Sequence, residues 1–457
     1  MSRTPAASGT ALDDLPANRF HLRVGFASAG GLLIDGYILG AVAVALPLIP
    51  SGFGLTAWWN GLIGSSALIG LFLGGLVFGR ITDLVGRKTL YTADLTVFLV
   101  GSVLQFFTEA PWQLFAVRLV MGIAIGADYA IGPALLSEFV PRKIRGPLLG
   151  SLSTVWALGY ILALAVGYVF PDLGEDTWRW AIASSAVPSA LVLLARLGLP
   201  ESPRWLASRG RVDEALAICR RHLSPRITAA DLREEPTPQE SFRVLFTGRW
   251  RQRTVFAGGF WFARAWQNLA IYTFLPTVLV GLGIRDATLG SLVITSFWVV
   301  GGAIGMILVN RIGRRPLLLW TMAGMSVLLV VFGLWHHAPA PVVVGLFIVF
   351  SVVLSAGGVL EFTYPPELYP TGLRAAGSGT AAAMSRIGAA LGTLLLPSVI
   401  EAWGVSGAMF VSAAVCAGGY VISHLWAPET AGLSLGEASG VPHAAPSQPA
   451  QEAVPDA

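Results

Sequence analysis

Residues 79–88 read Gly79-Arg80-Ile81-Thr82-Asp83-Leu84-Val85-Gly86-Arg87-Lys88, and a related stretch, Asn310-Arg311-Ile312-Gly313-Arg314-Arg315-Pro316, follows about 228 residues later. Two more pairs keep nearly the same offset: Glu138-Phe139-Val140-Pro141 with Glu367-Leu368-Tyr369-Pro370, and Pro200-Glu201 with Pro428-Glu429. Self-similarity at so long a period is typical of a chain built from two related halves, and not of a solenoid.

The residues around these motifs are too apolar for a soluble protein. Hydrophobic residues make up 54% of the chain and charged residues only 12%, against about 25% charged in soluble proteins. A bilayer requires about 20 apolar residues per helix. Twelve stretches meet this requirement: 23–49, 60–79, 89–108, 112–136, 147–170, 178–199, 254–280, 287–309, 316–335, 340–363, 375–400 and 405–426. We therefore predict an all-α membrane protein with 12 transmembrane helices in two pseudo-symmetric six-helix halves.

The positions of the spans predict the organisation of the chain. Its expected parts are an N-terminal segment, 1–22, a six-helix bundle, 23–199, a central loop, 200–253, a second six-helix bundle, 254–426, and a tail, 427–457. Arginine and lysine concentrate in the loops that follow even-numbered spans. By the positive-inside rule, both termini and the central loop are expected on the cytoplasmic side of the cell inner (plasma) membrane. The polar, proline-containing composition of the tail predicts disorder.

No pattern in the chain predicts an enzyme, a metal site or a bound cofactor. Cys219 and Cys416 lie far apart, and His336-His337 has no further ligand residue near it. No Lys-Ser or Lys-Thr follows a glycine-rich loop, which argues against ATP-driven chemistry. The basic residues lie beside apolar spans, so the expected partners are the lipid bilayer, a small-molecule substrate and protons, and not nucleic acid. We expect the chain to act as a monomer.

The loop motifs carry a family resemblance. Over residues 20–430 the chain resembles the major facilitator superfamily, through the Gly-x-x-x-Asp-x-x-Gly-Arg-Lys pattern at 79–88. Within it, Pro200-Glu201-Ser202-Pro203-Arg204-Trp205 resembles the sugar-porter branch and its phosphate and organic-acid relatives. The resemblance implies a secondary transporter in which two bundles rock around a midplane site and expose it alternately on each side of the membrane.

Short acids and arginines at the helix ends of the motifs predict a cytoplasmic gate. Such groups can pair with one another and with helix dipoles, and exposed pairs are worth only about 0–1 kcal/mol, which suits a reversible closure. The alternative is that these residues only fix the topology. The predicted gate residues are Gly79, Asp83, Gly86, Arg87, Glu138, Arg145, Glu201, Arg315, Glu367, Arg374 and Glu429.

Charged residues inside predicted spans indicate proton coupling. An ionisable residue near the bilayer centre costs about 2.5–3.5 kcal/mol on insertion scales, so such positions are functional candidates. Asp35 and Asp128 are candidate proton carriers, with Arg118 as the neighbouring cation that would modulate them. A permanent ion pair of Asp35 with Arg118 is the alternative. Asp94 and Arg386 are interpreted as structural charges that meet the motif loops.

One face of the seventh span predicts the substrate site. Trp261, Arg264, Asn268 and Tyr272 recur at helical spacing, and a guanidinium can hold a carboxylate through two parallel hydrogen bonds. We therefore expect a small organic anion, a carboxylate or aromatic acid. The alternative is that Arg264 neutralises Glu361 or Asp128. The full predicted substrate set is Tyr37, Tyr129, Trp261, Arg264, Gln267, Asn268, Tyr272 and Glu361.

Several positions distinguish this chain from better-defined branches of the superfamily. Gly36-Tyr37-Ile38 lacks the acid of the Gly-Tyr-Asp pattern found in sugar porters, although Asp35 matches the first acid of the organic-acid version. Asn268 stands where phosphate symporters place an aspartate, and Asn310 where the second half often has one. Proton-coupled uptake of an organic anion is therefore the leading hypothesis. Sugar or polyol transport is the alternative, followed by drug or metabolite export, phosphate symport and nutrient sensing without transport.

Overall fold

The computed structural model of this protein describes residues 16, 18–140, 142–169, 173–225, 227–232, 241–335 and 338–433. In these ranges every regular element is helical. The N-terminal helices are α1 (Arg19–Ala45), α2 (Ala57–Val85), α3 (Arg87–Phe106), α4 (Pro111–Phe139), α5 (Arg142–Val169), α6 (Thr177–Ala183) and α7 (Ala186–Arg196). Two short helices, α8 (Pro203–Ser208) and α9 (Val212–His222), follow in the central segment.

The C-terminal helices repeat this pattern. They are α10 (Gly248–Thr273), α11 (Leu275–Gly281), α12 (Ala287–Arg311), α13 (Arg314–Leu334), α14 (Ala340–Glu367) and α15 (Thr371–Trp426). The packing is also repeated, because α1 packs on α5 and α2 on α4 in the first set, while α10 packs on α15 and α12 on α14 in the second.

Four predicted spans are interrupted, extended or merged in the structure. The sixth is divided into α6 and α7, since Pro188 has no N–H to continue the hydrogen bonds past Ser184. The seventh is divided into α10 and α11 just before Pro276, and α10 already begins at Gly248, inside the predicted central loop. Helix α15 covers both the eleventh and twelfth predicted spans, with a break at Gly404, whose φ is 70°.

Nine helical stretches of the described residues are long and apolar enough to cross a membrane, and α15 is counted among them once. This chain is therefore a multi-pass membrane protein. The count of 12 transmembrane helices and the boundaries of the two six-helix halves remain predictions.

Glycines bring the helix backbones together at equivalent places in the two sets. On α2, a Cβ at Gly70 would lie 2.7 Å from the backbone nitrogen of Ile123, and on α4 a Cβ at Gly126 would lie 2.6 Å from that of Gly75. On α12, a Cβ at Gly301 would lie 2.5 Å from the carbonyl oxygen of Val352. Close approach through small residues is the usual way in which helices pack in a membrane, where lipid is as apolar as leucine.

Several contacts between the N-terminal and C-terminal helices lie toward the ends of α2 and α12 that are remote from the glycine-arginine motifs. Gly61 of α2 meets the backbone of Leu394 on α15. The Tyr160 hydroxyl of α5 donates to the carbonyl of Tyr272 at 2.9 Å, and the ring of Trp298 on α12 lies 5.3 Å from that of Tyr160. We call the opposite end of the bundle, where the turns at Gly86 and Gly313 lie, the motif side.

Candidate functional site

A buried arginine joins two acidic side chains inside the N-terminal helices. Arg196, at the end of α7, donates from Nη1 to Asp94 of α3 at 3.1 Å and from Nη2 to Asp128 of α4 at 2.8 Å. All three side chains are at most 1% exposed. Removing one partner from such a pair leaves an uncompensated buried charge, which typically costs about 3–5 kcal/mol.

Further contacts hold the Arg196 guanidinium in this position. Its centre lies 3.3 Å from the centroid of the Tyr91 ring, and Nε donates to the carbonyl of Ala27 at 3.2 Å. Helix α1 leaves room for the guanidinium at Gly31, because a Cβ there would overlap both Arg196 and the Asp128 carboxylate. The arginine is therefore fixed by four helices: α1, α3, α4 and α7.

Asp35 lies one helical turn from Gly31 on the same face of α1. Its side chain is fully buried, and neither carboxylate oxygen has a hydrogen-bond partner in the described part of the chain. Asp128, Asp94, Arg196 and Arg386 lie within its electrostatic reach. We call Asp35, Asp94, Asp128 and Arg196 the charge cluster. A bare carboxylate in this setting is unfavourable, whereas a protonated one is tolerated.

Arg118 forms no ion pair with Asp35 or Asp128 in the structure, so the alternative of a permanent Asp35–Arg118 pair is wrong, and the cation expected beside these two acids is not Arg118. Its Nε donates to the carbonyl of Ile63 at 3.3 Å and its Nη1 to the side chain of Gln105 at 3.2 Å. The cation beside Asp128 is instead Arg196, which sequence reasoning overlooked. An arginine inside the predicted span 178–199 was the signal that could have identified it.

Arg264 in the C-terminal helices has an acidic partner. Its Nε donates to Glu361 of α14 at 3.0 Å, with the two side chains 1% and 18% exposed. A second bond goes from Nη2 to the carbonyl of Leu354, while Nη1 has no partner among the described residues. Of the two roles considered for Arg264, the geometry matches neutralisation of Glu361.

The other predicted substrate residues on α10 contact different neighbours. The Tyr272 hydroxyl bonds to Ser351, and the Trp261 ring packs on Phe362 at 5.8 Å. The Gln267 amide donates to the carbonyl of Ser412 at 2.7 Å, so it engages the last part of α15. The Asn268 side-chain oxygen has no partner in the described ranges.

The two tyrosines predicted for substrate binding lie in the N-terminal helices. Tyr37 bonds to Ser184 at 2.8 Å, within those helices. Tyr129 faces the other set, because the guanidinium centre of Arg386 on α15 lies 4.7 Å from its ring centroid. Arg386 was interpreted as a structural charge near the motif loops, and the contact described for it is this one, between the two sets of helices.

On the motif side, Glu201 caps the N-terminus of α3. Its carboxylate accepts from the backbone N–H groups of Arg87 at 3.1 Å and of Lys88 at 3.1 Å. Gly86, with φ at 103°, makes the preceding turn, and a Cβ there would lie 2.6 Å from the carboxylate. Anions are favoured at helix N-termini, where backbone N–H groups point outward.

The same arrangement occurs at the N-terminus of α13. Glu429 accepts from the backbone N–H of Arg314 at 3.0 Å and of Arg315 at 3.1 Å. Arg314, and not the predicted Arg315, forms the two-bond pair with Glu367, at 3.0 and 3.2 Å. The Arg315 side chain instead donates to the carbonyl of His424 at 3.0 Å. Arg374 donates to the carbonyl of Pro366 at 3.1 Å.

Four predicted gate residues lie outside the residues whose side chains are described. They are Gly79, Asp83, Glu138 and Arg145. Their predicted roles in the gate remain predictions.

Apolar helices that enclose charged and aromatic side chains define a polytopic membrane protein with functional groups inside its helical bundle. Residues 26–441 match the family described as Sugar (and other) transporter, and the chain belongs to this family. The inner membrane metabolite transport protein YgcS of Escherichia coli strain K12 is 40% identical over 94% of this chain and 96% of YgcS. The predicted sugar-porter-like membership of the major facilitator superfamily is thereby confirmed.

Two further similarities bear on the fold and on the range of solutes. The niacin transporter NiaP of Acinetobacter baylyi is 29% identical over 82% of this chain and 87% of NiaP. A partially occluded inward-open structure of the xylose transporter XylE from E. coli has a TM-score of 0.77 at 19% identity, covering 90% of this chain and 99% of XylE. The second similarity shows that the fold is shared.

Proposed function

We propose that this protein is a proton-coupled secondary transporter that takes up a small organic anion by alternating access. The observation that carries the coupling is Asp35, a buried carboxylate with no hydrogen-bond partner among the described residues, within electrostatic reach of Asp128 and Arg196. A carboxyl group in such surroundings binds a proton readily and releases it when the local charge or hydration changes. Asp35 is the proposed proton carrier, and the charge of Asp128 influences how readily Asp35 binds the proton.

Two observations support the anion hypothesis. Guanidinium groups lie inside the helical bundle, and NiaP is named as a transporter of niacin, which is an aromatic carboxylate. Arg264 supports the anion hypothesis less strongly than the sequence suggested, because Glu361 already compensates its charge. The aromatic contacts of Tyr160, Tyr272 and Trp298 favour a second candidate, a sugar or polyol, since rings can stack on a sugar face. XylE, named as a xylose transporter, supports the same alternative.

The proposed cycle uses the two ends of the bundle differently. Contacts such as Gly61 with Leu394 close the end remote from the motif side, and the predicted gate residues close the motif side in the opposite state. We place the protein in the cell inner membrane as a monomer, with both termini on the cytoplasmic side. The expected proton and substrate sites lie between these two closures.

Uptake into proteoliposomes tests this function. Labelled nicotinate and D-xylose are compared with and without an imposed inward proton gradient. We expect nicotinate uptake that the gradient stimulates, and loss of that stimulation in Asp35→Asn. Glu401→Gln, which changes an exposed carboxylate on α15, is the matched control. Uptake of D-xylose but not of nicotinate would show that the substrate is not an organic anion. Nicotinate uptake that is the same with and without the proton gradient would exclude proton coupling.

A further inference from the structure

We propose that Arg386 binds the carboxylate of the transported anion, and that this binding favours protonation of Asp35. This inference rests on the proposed function and deepens it, because it assigns the anion subsite and the link between anion and proton. Neither Arg264 nor Arg196 is suited to this role, since each already bonds a carboxylate of the chain.

The position of Arg386 suits a ligand that both sets of helices must contact. It lies on α15, and its guanidinium lies 4.7 Å from the ring centroid of Tyr129 on α4. A substrate held here would therefore contact the N-terminal and C-terminal helices together, as a site that controls their relative movement requires.

Arg386 keeps its hydrogen-bonding capacity available. Among the described residues it forms no ion pair with a carboxylate, in contrast to Arg196, Arg264 and Arg314. Its side chain is only partly buried. The planar guanidinium offers parallel N–H donors that match a carboxylate, while the Tyr129 ring offers a face on which an aromatic acid can stack. The substrate class that fits is an aromatic monocarboxylate.

The link to the proton follows from the charges that surround Asp35. The titratable and charged groups within electrostatic reach of Asp35 on neighbouring helices include Asp94 on α3, Asp128 and Tyr129 on α4, Arg196 on α7 and Arg386 on α15. Three carboxylates, Asp35 included, thus share two guanidiniums. One bound proton makes this group neutral.

An anion on Arg386 adds a negative charge to the same buried group. Proton binding at Asp35 then becomes more favourable, and by linkage the anion binds more tightly when Asp35 is protonated. Both solutes would therefore bind to the protein together. The Tyr129 contact makes the effect depend on the relative position of the two sets of helices, because separating them removes Arg386 from the group.

Calorimetric binding of nicotinate and benzoate to the purified full-length protein, measured across a range of pH, tests the proposal. In the wild type we expect affinity to rise as the pH falls, by up to about tenfold per pH unit for one linked proton. Arg386→Gln should weaken binding at least about tenfold and remove the pH dependence. Arg386→Lys, which keeps the charge, should retain the pH dependence.

Two controls separate the anion subsite from general packing. Arg285→Gln changes an exposed arginine in a loop and should bind as the wild type does. Nicotinamide has the ring of nicotinate without its charge, so its affinity should not depend on Arg386.

The outcomes distinguish this proposal from the proposed function. If nicotinate and benzoate bind the wild type with a pH dependence that survives in Arg386→Gln, Arg386 is not the linking residue, while anion transport still stands. If neither probe binds the wild type at any pH, the aromatic monocarboxylate class is wrong and the subsite proposal fails with it.

Discussion

Arginines inside the helical bundle are compensated in four different ways. Arg196 is held by two carboxylates, Arg264 by one, and Arg118 by a carbonyl and a side-chain amide. Arg386 faces an aromatic ring. Removing the partners of an arginine should cost most for Arg196 and Arg264, which are paired with carboxylates. An ion left without its partner in a low-dielectric interior is strongly unfavourable.

The Arg264–Glu361 pair yields a stability prediction. Glu361→Gln should lower the free energy of unfolding by about 3–5 kcal/mol, since Arg264 would keep a buried charge without its acid. The double variant Arg264→Gln/Glu361→Gln should recover part of this loss. Thermal unfolding in detergent measures both. Equal destabilisation by Glu361→Gln and by Glu401→Gln would contradict the prediction.

Gly31 yields a prediction about the charge cluster. Gly31→Ala should displace Arg196 or Asp128, because the added Cβ would overlap both, and proton-stimulated uptake should fall with it. Gly75→Ala is the matched control, since a Cβ there meets nothing within 4 Å. Uptake and thermal stability are measured together. A fully active Gly31→Ala protein would show that the cluster tolerates rearrangement.

Residues of this kind are only partly predictable from sequence. Asp35, Asp128 and Arg264 could be identified because each interrupts an apolar run. Their partners could not, because Arg196 meets Asp128 across 68 residues and Asp94 across 102. Helical periodicity indicates which residues share a face, but the angle at which that face meets its neighbour depends on packing.

At the scale of the element, two helix N-termini on the motif side are capped by a glutamate in the same way. Glu201 at α3 and Glu429 at α13 each accept backbone N–H groups next to a glycine with positive φ. The sequence repeat predicted that these acids act at helix ends. It could not predict that they bond backbone groups, or that Arg314 and not Arg315 pairs with Glu367.

The stabilising effect of the Glu429 cap at the N-terminus of α13 should depend on pH. Burial acts to raise the pKa of Glu429, but the backbone N–H groups of Ala431, Arg314, Arg315 and Thr430 together outweigh it and lower the pKa below its usual value of 4.5. A lowered pKa in the folded state contributes stability above the unfolded pKa. This contribution is lost as the pH falls through the folded pKa.

Glu429→Gln should therefore destabilise the protein at neutral pH by about 1 kcal/mol or less, since the carboxylate is partly exposed. The difference between wild type and variant should shrink below about pH 4.5, where the unfolded carboxyl is already protonated. Thermal unfolding at several pH values measures it. A difference that stays constant across this range would exclude the charged cap as its source.

For the whole molecule, the important contacts are those that join the two sets of helices. The family membership and the repeated motifs made the overall architecture predictable, whereas the aromatic contacts of Tyr160 and Trp298 had no visible signal, because no motif surrounds them. Gly61 and Leu394 mark a place where these sets touch backbone to backbone. Such a contact has little tolerance for added volume.

Gly61→Leu should therefore open the end of the bundle remote from the motif side. A cysteine introduced by Thr393→Cys, at a position that is fully buried, should then react several-fold faster with a membrane-impermeant maleimide. Gly52→Leu is the control, because a Cβ there meets nothing within 4 Å. Unchanged labelling in Gly61→Leu would mean that this contact does not hold the two sets together.

The central segment offers a built-in chemical reporter. Cys219 on α9 packs with Leu206, Ala215, Ile227 and Leu232, and burial raises the pKa of its thiol to about 11. Because the thiolate is the reactive form, the folded segment should be nearly inert toward alkylating reagents at neutral pH. The rate of Cys219 alkylation would then report how often this segment opens during the transport cycle, without an added label.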